Sequence, residues 1–495
     1  MKASSELHEL IRGMNMSEKR YFKIYSSRHI IGERNNYMRL FDAIARQEVY
    51  AEAEIKKQFT GETFIRHLPS EKHYLYRQVL DSLNAFNREK TFLSRYSNIL
   101  ISVEILYNRG LFAQCHRLIR KAKKEAYSLE KFSMLLLLLR WETLIHIKNE
   151  DELNLNKSIA EELRILEMMR IQYVLMQVAF NVQVHIDRNN ITPSFIRKSE
   201  KELKRNLPAN STVDSFWARY YYHSTLGLIA SVQKKQMLRY HSYKEIKRLM
   251  DTAPQFIIDL PWIYHLNSNN LVNVMLQLKK YSEVELLIRQ QRGFVDHYKI
   301  KRAALSRMIF LNTYESELFL CYKTHRHADA ARIAATIEPE VKKIEAGFSP
   351  VLFDLVFFMA VSELMVQNYK SATRWLNRIL NAERVTGFRK ELQVNARLLY
   401  LAVLYESGDL LLENRLQSTR RFLQRETQFK TQKAIAEVIR LLAAGDPGHA
   451  QLEKHVASIR ADFKKPGGEW LNKQFDFAEW ILRQVRLAKG RHVHH

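Results

Sequence analysis

Apolar positions recur at spacings of three and four along nearly the whole chain, the period of helices that bury one face. Leu7, Leu10, Ile11 and Met14 form the first such stripe, and Ser17 stands where an N-cap belongs before Glu18 to Lys23. Further helices are predicted over 37–47, 51–59 and 70–86, with Gly61 and Pro69 in the loops between them. The last of these would bury Tyr74, Leu75, Val79, Leu80 and Leu83. From about residue 96 the helices come in pairs. Ile99, Val103, Leu106 and Tyr107 line one helix, Gly110 ends it, and Phe112, Cys115, Ile119 and Ala122 line the next. Residues 135–147 and 168–186 read as first helices of two more pairs, with turns at 149–151 and 187–190. Two final helices are expected over 452–463 and 469–487, the latter presenting Trp470, Phe475, Phe477, Trp480 and Ile481 on one side.

The turns between paired helices share a signature, Gly or a polar residue followed by an aromatic or apolar one. It reads Arg109-Gly110-Leu111-Phe112, Lys279-Lys280-Tyr281, His325-Arg326-His327, Gln367-Asn368-Tyr369 and Ser407-Gly408-Asp409-Leu410. The anchors at 281, 327, 369 and 410 are separated by 46, 42 and 41 residues. A period near 40 built of helix pairs predicts an all-α solenoid.

The pairs Phe112/Cys115, His327/Ala330 and Tyr369/Ala372, the last continued by Leu376 and Ile379, resemble the tetratricopeptide repeat. So does the step Thr225-Leu226-Gly227. The resemblance covers roughly residues 96–440 and implies a right-handed α-solenoid of degenerate units. The period exceeds the usual 34 residues, and Glu413 replaces the small residue after Leu410. The repeat-ending proline is mostly missing, Pro254 and Pro339 being the nearest candidates. More faintly, Ser17 to Lys23, Leu40 to Ile44 and Ser418 to Leu423 are similar to uncharacterised repeat proteins of Bacteroidetes bacteria, a resemblance that brings no activity. The organisation expected is an N-terminal helical module over 1–95, repeats over 96–440, capping helices over 441–490 and a tail over 491–495.

Composition agrees with this plan. At 495 residues the chain is too long for one core, and 14 glycines and 9 prolines are too few for a sheet-rich fold. The net charge of +25, from 78 basic and 53 acidic residues, is spread along the chain and attracts polyanions. Two cysteines are too few for a disulfide scaffold. The first residues lack the apolar core of an export signal, and the stretch 351–366 is broken by Asp354 and Glu363. No membrane span and a cytoplasmic location are therefore expected. On that expectation the glycosylation sequon Asn210-Ser211-Thr212 would go unused.

No nucleotide-binding loop, nucleophile elbow or zinc-protease motif is present. Cys321, His325 and His327 have metal-ligand character, but Cys321 falls on a buried stripe and His327 in a turn slot. No metal and no cofactor is expected. The chain reads as a non-enzymatic scaffold whose first helices hold a protein or peptide partner, with Asp354, Phe357, Asn395 and Leu398 placed to touch it. A second reading is an RNA- or ribosome-associated protein. It rests on Arg197, Lys201, Lys204 and Arg205, and on Arg415, Arg420, Arg421 and Arg425 with Lys430 and Lys433. Arg117, Arg120, Lys121, Lys123 and Lys124 crowd another helix. A third is a transcription regulator in which the 70–86 helix reads DNA, although Glu71 and Asp81 dilute Lys72 and Arg77.

Overall fold

Most of the amphipathic stripes become helices, and ten of the turns among the described residues share one backbone geometry. The computed structural model describes residues 5–27, 36–88, 92–206, 215–344, 350–382, 390–425, 428–444, 449–464 and 474–492. These residues form α-helices, one 3₁₀ helix (Thr63–His67) and turns, and no strand occurs among them. They cluster into two compact units, residues 1–171 and 172–495.

In the first unit, α1 (Glu6–Gly13), α2 (Met16–Ser27), α3 (Asn36–Ala45), α4 (Glu52–Gln58) and α5 (Leu68–Asn87) close around Ile11, Phe22, Phe41, Ile44 and Leu75. A second core, built on Tyr96, Val103, Cys115, Ile119 and Leu138, joins α6 (Phe92–Asn108), α7 (Phe112–Ser128) and α8 (Phe132–Lys148). On α5, Leu75 and Val79 are buried as expected, but Tyr74 and Leu80 are exposed. Burial there follows a narrower stripe than the apolar letters suggest.

Next come α9 (Glu152–Asp187) and α10 (Pro193–Arg205). α9 is a single unbroken helix, so residues 168–186 are its second half and not a new helix.

The second unit continues with α11 (Phe216–Val232), α12 (Gln236–Asp251), α13 (Pro254–Asp259), α14 (Pro261–Gln277), α15 (Tyr281–Arg292), α16 (Phe294–His297), α17 (Ala303–Lys323) and α18 (His327–Lys343). It ends with α19 (Val351–Met365), α20 (Tyr369–Leu380), α21 (Lys390–Ser407), α22 (Leu412–Gln424), α23 (Lys430–Ala443), α24 (His449–Lys464) and α25 (Phe477–His492). First helices touch in succession, α14 to α17 to α19 to α21 to α23. The second helix of each pair packs on the first helix of the next, as α12 on α14, α15 on α17, α18 on α19 and α20 on α21. Ties also cross between second helices: Tyr240 donates to Glu283 at 2.6 Å, and Arg378 donates to the Ile344 carbonyl at 2.7 Å. The apolar stretch 351–366 is α19, buried along almost its full length, with packing against α17, α18, α20 and α21. No helix among the described residues is long and apolar enough to cross a membrane.

The turn signature has a backbone cause. In ten turns the residue after the helix cap has a left-handed φ, from 46° at Glu130 to 72° at Gly110. In the turn at Lys279, its amide donates to Leu276 and that of Lys280 donates to Met275, the paired bonds of a Schellman cap. The same two bonds recur at Gly110, Glu130, Glu150, Asn189, Lys234, Lys299, His325, Gln367 and Gly408. Only two of the ten are glycine, which is why the signature is legible mainly through the anchor two positions later. Phe112, Tyr281, His327 and Tyr369 each open the next helix. Lys234 makes the same turn between α11 and α12, but polar Gln236 in the anchor slot hides it. Leu410 does not fill the slot: α22 begins two residues later, leaving Leu410 96% exposed.

Pro339 lies inside α18 and ends no pair, whereas Pro254 stands two residues after the C-cap of α12, past the second helix of its pair, and opens α13. Of the predicted 469–487 helix, Gln474 and residues 477–487 are helical and Phe475 and Asp476 are not, while residues 469–473, Trp470 among them, the sequon 210–212 and the tail residues His494 and His495 lie outside the described residues. α25 runs on to His492, two residues into the expected tail.

Candidate functional site

Helices α17, α19 and α21 lie side by side, and a segment from the C-terminal end of the chain crosses all three. Gln474 is nearly buried between two polar side chains: its amide donates to Asp354 of α19 at 3.2 Å and accepts from Asn395 of α21 at 3.0 Å. At α17, Tyr322 accepts a hydrogen bond from the Asp476 backbone N–H at 2.9 Å and stacks on Phe475, ring centres 6.0 Å apart. Over α21, Trp480 packs edge-on against Tyr405, and its indole N–H donates to Glu406 at 2.8 Å. The Gln484 amide donates to the same carboxylate oxygen at 2.7 Å, Tyr369 donates to the other oxygen at 3.3 Å, and Arg483 stands 3.8 Å away. Glu406 is thus a carboxylate 7% exposed whose donors come mostly from the crossing segment.

Local sequence sets the segment's shape. Asp476 caps α25, its side chain accepting from the Glu479 amide at 2.9 Å. Phe475 and Trp480 fall at the two positions of a hydrophobic staple around that cap. Phe475, Phe477, Trp480 and Ile481 are all buried in the core shared with α17, α19 and α21. The segment therefore leaves helical geometry only at Phe475 and Asp476 and continues as α25 from Phe477.

Burial tunes the charges here. It pushes the Tyr322 phenol up from its ordinary value. Burial also holds the Lys323 ammonium below its ordinary range, with the Asp476 carboxylate acting in the opposite sense. Nearby, burial pushes the Cys321 thiol up to about 11, which leaves it a protonated core group.

Of the four residues predicted to contact a partner, Asp354 and Asn395 are brought together by Gln474. Phe357 and Leu398 are fully buried core residues and meet no open surface. They lie on sides of α19 and α21 that neighbouring helices cover, as periodicity cannot tell the covered side of a buried helix from the open one. The sequence reading missed Tyr322, Glu406 and Gln474. One signal was available: Asp476, three residues before Glu479, is a readable helix start.

The basic clusters divide. On α10, Thr192 caps the helix, Ile196, Ser199 and Leu203 face inward, and Arg197, Lys201, Lys204 and Arg205 are exposed on the other side. Glu200, one of the acids diluting them, accepts from Gln233 at 3.0 Å. The second cluster does not form one face. Leu416, Thr419 and Leu423 bury one side of α22, so Arg421 and Arg425 point away while Arg415 and Arg420 occupy opposite flanks. Arg415 lies over the Tyr400 ring, and Arg420 stands 3.6 Å from Glu437. In the first unit Lys123 bonds Glu142 and Glu161, and Lys72 bonds Glu52, so neither is free to meet nucleic acid.

A cleft of about 400 Å³ opens between α15, α17 and α18. Its arginines are answered from within, Arg292 by Glu317 and Arg326 by Glu285. Among the described residues no three His, Cys, Asp or Glu side chains gather as metal ligands would. No family model matches the chain, and neither does a curated protein or a solved structure.

Proposed function

We propose that this chain is a non-enzymatic scaffold of stacked, degenerate helix pairs, built like tetratricopeptide repeats, that binds a protein or peptide partner in the cytoplasm. The observation that carries the reading is the crossing of α17, α19 and α21 by residues 474–484. One stretch of polypeptide is held there by aromatic anchors, by side-chain bonds and by a bond to its backbone N–H. A face with those properties suits a peptide whose aromatic side chains enter the core and whose backbone reaches Tyr322. The succession of first helices from α14 to α23 supplies further surface of the same construction.

The test is chemical crosslinking of the purified chain to nuclease-treated lysate, with crosslinked peptides mapped by mass spectrometry. Protein crosslinks concentrated on first helices of the second unit are expected. Loss of all bound material on nuclease treatment would refute the reading.

A second reading, binding to RNA or another polyanion, is favoured by one feature, the exposed stripe Arg197, Lys201, Lys204 and Arg205 on α10. It requires a log–log salt slope of about one unit per phosphate contacted, reduced by roughly three when three of these residues become glutamine.

A further inference from the structure

We infer that the face across α17, α19 and α21 recognises one kind of partner. That partner is a peptide carrying aromatic–acid–aromatic–x–x–tryptophan preceded by glutamine, and residues 474–484 of the chain occupy the face as a stand-in for it. The inference rests on the scaffold reading above and specifies its ligand. The chain's own segment is the template, because each of its positions has a distinct counterpart.

Glutamine at the first position meets a half-buried acceptor, Asp354, and a buried donor, Asn395, at once. An aliphatic residue there would leave Asn395, wholly buried, with its amide N–H unpaired. The first aromatic stacks on Tyr322. The acid starts the helix and frees its own backbone N–H to reach the Tyr322 hydroxyl. The second aromatic, equivalent to Phe477, enters the shared core with no exposure. Tryptophan is selected over phenylalanine by Glu406, which takes the indole N–H. Glu406 also disfavours an acid at the Trp480 or Gln484 positions, since two carboxylates would stand together where the Glu406 side chain is 7% exposed. Lys323, against the rings of Phe319 and Tyr322, favours the acid at the third position.

Tethering decides the competition. A segment in the same chain acts at an effective concentration on the order of millimolar, so a free peptide of equal intrinsic affinity displaces little of it. A partner prevails by improving one position or by presenting the motif several times.

The experiment uses the full chain and a fluorescein-labelled synthetic peptide of residues 474–487, followed by fluorescence anisotropy. The chain carrying Phe477→Ala and Trp480→Ala is expected to bind the peptide at least about 30-fold more tightly than the unaltered chain, since its own segment no longer competes. A peptide with Trp480→Phe is expected to bind that chain about tenfold more weakly than the parent peptide, reflecting the lost charged hydrogen bond. A second chain, Trp480→Phe with Gln484→Ala, removes only donors to Glu406 and keeps the core filled. It is expected to bind the peptide at least about tenfold more tightly than the unaltered chain and serves if the double alanine variant loses its helical circular dichroism. Equal peptide binding by altered and unaltered chains, or none by a folded variant, overturns the inference. So does a dimer of the unaltered chain formed by segment exchange, which would make a second copy the occupant. Neither result touches crosslinks to α11 or α14, so failure here is separable from failure of the scaffold reading.

Discussion

Replacing Lys234, Lys279 and Gln367 together by glycine should stabilise the second unit although it deletes side chains. All three are exposed and sit in the left-handed region, with φ of 57°, 56° and 60°. An L-residue there is disfavoured by roughly 1–2 kcal/mol, because its Cβ crowds the following carbonyl. Glycine avoids that crowding but gains about 0.4–1 kcal/mol of conformational entropy in the unfolded chain. The balance is about 0.7 kcal/mol per site. The turns lie more than 40 residues apart in sequence and share no side-chain partner, so the effects should add to about 2 kcal/mol. For a unit of this size that is a rise in Tm of roughly 3 °C, measurable by calorimetry. The control is Lys235→Gly, one residue on, where φ is −83° and glycine relieves nothing. It should leave stability unchanged or lower it by a few tenths of a kcal/mol at that N-cap. A triple variant no more stable than the control would refute the claim that these caps are strained by their side chains.

Three further outcomes follow from packing and charge. Gly227→Ala should cost about 1–3 kcal/mol in urea unfolding, because the new Cβ would lie 2.9 Å from Cζ of the buried Tyr243 ring on α12. Trp480→Phe should speed amide exchange in α25 by roughly ten- to a hundredfold, as the indole N–H to Glu406 is a hydrogen bond to a buried charge worth about 1.5–3 kcal/mol. Hydrogen bonding from Lys72 holds Glu52 down at about 2, below its unfolded value. Its contribution is therefore present above about pH 4.5 and lost as pH falls towards 2, so Glu52→Gln should destabilise the N-terminal helices by on the order of 1 kcal/mol at pH 6 and not at all at pH 2.

The sequence determined the helices, most of their pairing and the turns that join the pairs. Those properties depend on residues three to eight positions apart, as Cys115, Ile119 and Ala122 on α7 illustrate, and local stereochemistry enforces them. Even the polar left-handed caps left a trace, since Tyr281 and Tyr369 must begin the next helix once the chain has turned. The unbroken α9 and the displaced start of α22 escaped because no breaker marks the first and a leucine stands before the second. What only the tertiary structure decided is what fills the face of α17, α19 and α21. Its bonds join Trp480 to Glu406, 74 residues away, and Asp476 to Tyr322, 154 residues away. No periodicity links such pairs: they meet because stacked first helices bring distant polar groups into line, and a buried carboxylate and amide then require donors and acceptors from whatever chain lies across them.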